Sequence, residues 1–183
     1  VNIFVLSLDP REAARSQCDK HVVKMLLESV QMLANSVNAD LRDRAQSLRG
    51  GQGVYKIAHY NHPCSRWSRE TAGNWVWLLN HAWGLLNEYK FRFNKQEHKC
   101  EEMLRWLDGQ ALNIYSSLDS SELVLTPFAL AMPDEYKTSD PVESYRKFYK
   151  GAKTFAKWEK GRKPPYWWPQ TSTSTSSPVI EIT

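Results

Sequence analysis

The chain is 183 residues long, 42% of them hydrophobic, with a net charge of +4 from 24 basic and 20 acidic side chains. This length makes one domain, and the composition supplies a real core. Three widely spaced cysteines, Cys18, Cys64 and Cys100, exclude a disulfide scaffold and fit a reducing compartment, and no apolar run has the length of a membrane span.

Residues 1–8 are apolar and β-branched and read as a short strand or a buried extended arm. The opening VNIFVLSLDP is too short for a secretory signal and lacks a basic start. Asp9-Pro10 is a helix start, with Asp9 as N-cap and Glu12 completing a capping box. The apolar period from Val22 to Val37 then predicts one helix over 10–37. On it His21 and Glu28 lie two turns apart, with Lys24 between them. Residues 38–53 end in three glycines and form a loop around at most a short helix. Residues 55–64 carry His59, His62 and Pro63 without a clean period and lead into a second helix over 65–93. Its apolar face is wide and almost continuous, which predicts a central position. A third helix is expected over 97–115, a proline-containing loop over 123–140 and a fourth helix over 141–158. The body closes on the aromatic segment Tyr166, Trp167 and Trp168. The expected architecture is all-α, with one helical domain over 1–170 and a disordered low-complexity tail over 171–183.

Charge is uneven along the chain. Residues 141–163 hold eight basic and two acidic residues, leaving the rest near −2. Such a patch is an electrostatic footprint for nucleic acid, or else a solvated helix face. Three chemistries are open. Cys18, His21, His59, His62 and Cys64 offer nitrogen and sulfur ligands, as in a metal-dependent hydrolase, although their spacing matches no zinc module. Cys64 with His62 or His59 offers thiol catalysis. The third uses Val1. Free α-amines have reference pKa values of about 7.7 to 8.0, so part of the population is neutral near pH 7 and nucleophilic. An amine of this kind forms a Schiff base with a sugar carbon, and Glu28 is the carboxylate best placed to assist.

The segment DKHVVKMLLES, residues 19–29, resembles the first helix of the phage pyrimidine-dimer DNA glycosylases, which also have lyase activity. The family's aspartate, histidine and catalytic glutamate fall on Asp19, His21 and Glu28, and its nucleophilic N-terminal amine falls on Val1. Asn61 to Cys64, the aromatic central helix, the Met132-Pro133-Asp134-Glu135-Tyr136 phrase and the Tyr166-Trp167-Trp168 end follow in the family's order. The family's arginines beside the glutamate are replaced by Leu27 and Gln31, which puts phosphate gripping elsewhere and dimer specificity in doubt. The resemblance implies a glycosylase with lyase activity and no cofactor or metal, with Val1, Glu28 and His21 catalytic. Its expected partner is double-stranded DNA, met as a monomer and away from membranes in the cytoplasm of a phage-infected bacterial cell. The residues expected on DNA are His59, His62, Arg66, Arg69, Arg146, Lys147, Lys150, Lys153, Lys157, Arg162, Lys163, Tyr166, Trp167 and Trp168. A DNA-binding protein without catalysis is the alternative that dispenses with Glu28.

Overall fold

The computed structural model describes residues 1–170, so the expected tail over 171–183 lies outside the described residues. Nine α-helices and no strand occur among them: α1 Pro10–Ser16, α2 Asp19–Ala34, α3 Ala39–Arg44, α4 Leu48–Gly51, α5 Pro63–Glu70, α6 Ala72–Phe93, α7 Glu101–Gly109, α8 Ala111–Tyr115 and α9 Pro141–Ala152. The all-α expectation holds. No described helix is long and apolar enough to cross a membrane.

The long α6 forms the centre, with Trp75, Leu78, Ala82 and Leu85 fully buried and α1, α2, α5 and α7 packed around it. Its crossing with α1 is close. A Cβ on Gly84 would lie 2.9 Å from the Ala14 Cβ, so only glycine lets the two backbones approach this far.

The first three expected helices are divided and the fourth is cut short, and tertiary hydrogen bonds mark several of these ends. The first breaks at Gln17 and Cys18, both extended. There the buried guanidinium of Arg92 on α6 donates to the carbonyls of Arg15 and Gln17, which a continuous helix would use itself. The Cys18 N–H donates to the Tyr149 hydroxyl. Asp9 caps α1 as expected, but Ser7 Oγ, not Glu12, accepts the Asp9 N–H. The second breaks at extended Thr71, whose hydroxyl accepts from the Asn74 N–H and donates to the Val124 carbonyl. The third starts only at Glu101 and turns at Gln110. The fourth stops at Ala152, because residues 157–159 loop back to cap α2: the Asp19 N–H donates to the Lys157 carbonyl and the Glu159 N–H to Asp19 Oδ2.

The first six residues form the buried arm, not a strand. Ile3, Phe4, Val5 and Leu6 are at most 3% exposed, which at about 1.5–3 kcal/mol per buried side chain fixes the arm firmly. Buried backbone groups need partners, and here side chains supply them. Glu28 accepts the Asn2 N–H, Asn2 Oδ1 accepts the Ile3 and Phe4 N–H groups, Gln17 donates to the Ile3 carbonyl and Arg146 to the Leu6 carbonyl. Phe4 has a left-handed φ of 58°, an uncommon conformation for a bulky residue. It is held there by the Asn2 side chain and by stacking on His21 at 4.5 Å.

The same Gln17 amide nitrogen lies 3.2 Å from His81 Nε2, while His81 Nδ1 lies 2.9 Å from the Pro10 carbonyl. Those partners require Nδ1–H and a neutral ring. Burial lowers the His81 pKa to about 4, and burial with Lys153, Lys24 and Lys20 lowers that of His21 to about 3. In the unfolded chain both return to about 6.5. Below that pH the unfolded state therefore binds more protons, and stability falls as pH falls toward 4. The urea midpoint should drop between pH 7 and 5, with each buried histidine contributing at most about 1.4 kcal/mol per pH unit. His81→Gln should flatten that slope, and an unchanged slope would remove His81 from the linkage.

Candidate functional site

The arm ends beside α2. The Val1 nitrogen lies 3.9 Å from Glu28 Oε2, and the Asn2 N–H donates to the same oxygen at 3.2 Å. The separation suits an ion pair but is too long for a hydrogen bond, so the nitrogen is not tied to the carboxylate. Asn2 Nδ2 anchors the arm to the Ala131 carbonyl at 2.8 Å. Tyr145 on α9 holds that stretch in turn: its hydroxyl donates to the Ala129 carbonyl and accepts the Ala131 N–H. Two residues distant in sequence, Val1 and Glu28, thus meet on a rigid helix against a doubly anchored arm.

One lysine meets Glu28, and two more lie by the aromatic cluster around His21. Lys24 Nζ is 3.8 Å from Glu28 Oε1, the other carboxylate oxygen. Lys153 sits over the rings of Phe148 and Phe4, and Lys20 over Phe155. Burial, and secondarily Lys24, lowers the Lys153 pKa.

His21 is placed differently from its expected role beside Glu28. Its Nδ1 lies 2.6 Å from the Tyr149 hydroxyl, and its ring lies between Phe4 and Phe155 in the core. It supports the strained residue of the arm, and no hydrogen bond among the described residues joins it to Glu28. Asp19 is structural too, accepting from Arg92 and from the Glu159 N–H.

The residues expected on DNA are dispersed over the surface. His59 is exposed, and His62 is half-buried at the start of α5, where burial and then the charges of the Val1 amine and His59 lower its pKa. Arg146, Arg162, Lys163, Tyr166 and Trp167 line a cleft of about 620 Å³, and Lys147 and Lys150 line a second of about 480 Å³ that shares Arg146 and Trp167. Tyr166 is 84% exposed, whereas Trp167 and Trp168 are half-buried against Tyr149. Arg66 is exposed on a separate small groove. Two cations are committed to partners within the fold, and a third makes an exposed surface pair. Arg69 donates to the Tyr60 and Ser65 carbonyls, Arg162 makes two bonds to Glu88, and Lys157 pairs with Glu159. Arg69 and Arg162 are poorly placed to grip phosphate, since their donors already have partners, whereas the exposed Lys157 pair is weak.

The metal and thiol chemistries find little support. No group of three or more His, Cys, Asp and Glu among the described residues is placed to hold a metal ion. All three cysteines are buried, and burial pushes the Cys64 thiol up to about 11, far from a reactive thiolate.

Sequence reasoning missed Asn2, Gln17, Tyr145 and Arg92, which aim the arm. A signal existed for two of them. Asn2 interrupts an apolar arm, and Glu88 with Arg92 forms an i,i+4 pair on the most apolar helix.

Neither a scan of protein-family models nor searches of curated proteins and of solved structures find a match to this chain.

Proposed function

We propose that the protein is a DNA glycosylase with abasic-site lyase activity, using the α-amine of Val1 as nucleophile and Glu28 as its carboxylate partner. The observation that supports this most is the 3.9 Å approach of the Val1 nitrogen to Glu28, with Lys24 at the other carboxylate oxygen. The target is a damaged or modified pyrimidine in double-stranded DNA, flipped from the stack to reach the amine. This substrate, the monomeric state and an infected bacterial cell as the setting follow from the resemblance to the pyrimidine-dimer enzymes. The neutral amine attacks C1′, the glycosidic electron pair leaves with the base, and the ring then opens to an imine. Glu28 stabilises the positive charge developing on the sugar and relays the amine's proton. Loss of a proton from C2′ then cleaves the strand by β-elimination. The clefts around Arg146 and Tyr166 hold flanking phosphates and bases.

The reading requires Val1 to be the first residue of the mature protein, which intact-mass measurement tests directly. Cyanoborohydride with a duplex carrying an abasic site should trap one protein–DNA adduct per chain. One residue added before Val1 turns the amine into an amide and should reduce trapping by at least about 1,000-fold, the order of loss of an essential nucleophile. Base release without any trappable adduct, or full trapping by the extended chain, would refute the amine mechanism.

A further inference from the structure

We propose that the ridge formed by Arg146, Tyr166 and Trp167 binds an unpaired strand of DNA, with one base stacked on the Tyr166 ring and the neighbouring phosphates held in the basic clefts on its two sides. This rests on the DNA-binding part of the reading above and not on its amine chemistry.

Tyr166 is 84% exposed, yet its ring is held in place. Arg146 Nη1 donates to the Tyr166 hydroxyl at 3.0 Å, and Arg146 Nε donates to the carbonyl of buried Leu6, also at 3.0 Å. The same guanidinium lies 5.4 Å from the Tyr166 ring centre and 5.5 Å from that of Trp167. Trp167 in turn packs edge-on against buried Tyr149. The backbone is constrained as well, since two prolines precede Tyr166 and the Trp168 N–H donates to the Pro165 carbonyl at 2.9 Å. An exposed ring fixed in this way serves no core, and as a platform for a flat ligand it loses little further freedom on binding.

The ridge is the common wall of two clefts. One, of about 620 Å³, adjoins α1 and the segment 161–167, and the other, of about 480 Å³, follows α9; Arg146 and Trp167 line both. Together the clefts hold six cations against three carboxylates. Arg162 is taken by Glu88, but the side chains of Arg15 and Lys163 in the first cleft and of Lys147 and Lys150 in the second make no polar contact among the described residues. Of the carboxylates, Asp140 is occupied in capping α9 through the Glu143 N–H. Free cations thus flank a fixed aromatic face on both sides. A duplex shows the edges of its bases in its grooves and keeps their faces inside the stack. An unpaired strand offers both things this surface can hold, a base face for the ring and a phosphate on either side of it.

Fluorescence anisotropy with the full-length protein tests the site. Wild type should bind a labelled oligothymidylate of about 10 residues at least about 10-fold tighter than an equally long oligomer of tetrahydrofuran abasic residues, which has the phosphates but no base to stack. Tyr166→Ala should weaken the oligothymidylate about 10-fold, and the abasic oligomer and a duplex of about 30 base pairs less than about 2-fold. Tyr166→Phe keeps the ring and should stay within about 3-fold of wild type. Lys163→Ala and Lys150→Ala, on opposite sides of the ridge, should each reduce the steepness of log affinity against log salt concentration by about 0.7, the change for one phosphate contact to a single strand. No binding by wild type, equal binding of the two oligomers, or equal losses on single strand and duplex would overturn the stacking site. A change in salt dependence for only one of the two lysines would overturn the passage of the strand across the ridge. None of these probes can react with an amine, so a failure of wild type to trap an abasic site counts against Val1 and leaves this result standing.

Discussion

Glu28→Gln should slow single-turnover base release by about 100- to 1,000-fold, the range found when one preorganised electrostatic group is removed from a reacting centre. The substitution is nearly isosteric. Glutamine retains an amide oxygen to accept the Asn2 N–H, so the arm stays anchored there and through the Asn2–Ala131 bond. What disappears is the negative charge facing the Val1 nitrogen at 3.9 Å and Lys24 at 3.8 Å. Without it the sugar cation loses its counter-charge and the proton from the amine loses its acceptor. Binding to a duplex with a non-scissile abasic analogue should weaken little or tighten, because one negative charge leaves a surface that meets phosphate. Loss of binding in parallel with rate would mean that Glu28 only shapes the protein. An unchanged rate would favour a DNA-binding protein without catalysis.

Much of this site was legible in the sequence, for physical reasons that differ residue by residue. Glu28 and Lys24 share a face because helical periodicity alone dictates it, and the apolar first residues pointed to burial while leaving strand and arm equally open. The opposite outcome for His21 was not legible. Its ring turns toward Tyr149, 128 residues away in the chain, and only the packing of α9 decides that. The divisions of the long helices were hidden for the same reason. Nothing local in RSQCDK ends a helix, but Arg92 reaching from α6 takes two of its carbonyls. Thr71 is an intermediate case, since threonine is a good N-cap and its partners at Asn74 and Val124 complete the break. Local chemistry set the faces, whereas long-range polar contacts set the corners.

The corner between α1 and α2 leads to the second large effect. Arg92→Met should destabilise the protein by about 3–5 kcal/mol, the cost typical of removing one partner from a buried charge network. The Arg92 side chain is fully buried and bonds to Glu88 at 2.8 Å, Asp19 at 3.1 Å, the Gln17 carbonyl at 2.7 Å and the Arg15 carbonyl at 2.8 Å. Methionine fits the apolar stem but leaves two carboxylates and two carbonyls short of a donor. Arg162 still reaches Glu88, which limits the loss there. Burial raises the pKa of the Glu88 carboxyl, but hydrogen bonds from Arg162 and Arg92 outweigh that and hold it below the ordinary carboxylate range. Urea unfolding should show the full cost, with a fall in melting temperature of about 6–20 °C for a domain of this size. Adding Asp19→Asn should recover part of it, because Asp19 is the carboxylate that loses its only cationic partner among the described residues. The effect should extend to chemistry. Gln17 sits in this corner and donates to the Ile3 carbonyl, two residues from Val1. Below the melting temperature, a loosened corner should reduce abasic-site trapping even though Arg92 touches neither Val1 nor Glu28. If Arg92→Met unfolds within about 1 kcal/mol of wild type, or traps at the wild-type rate despite its instability, the corner does not position the amine.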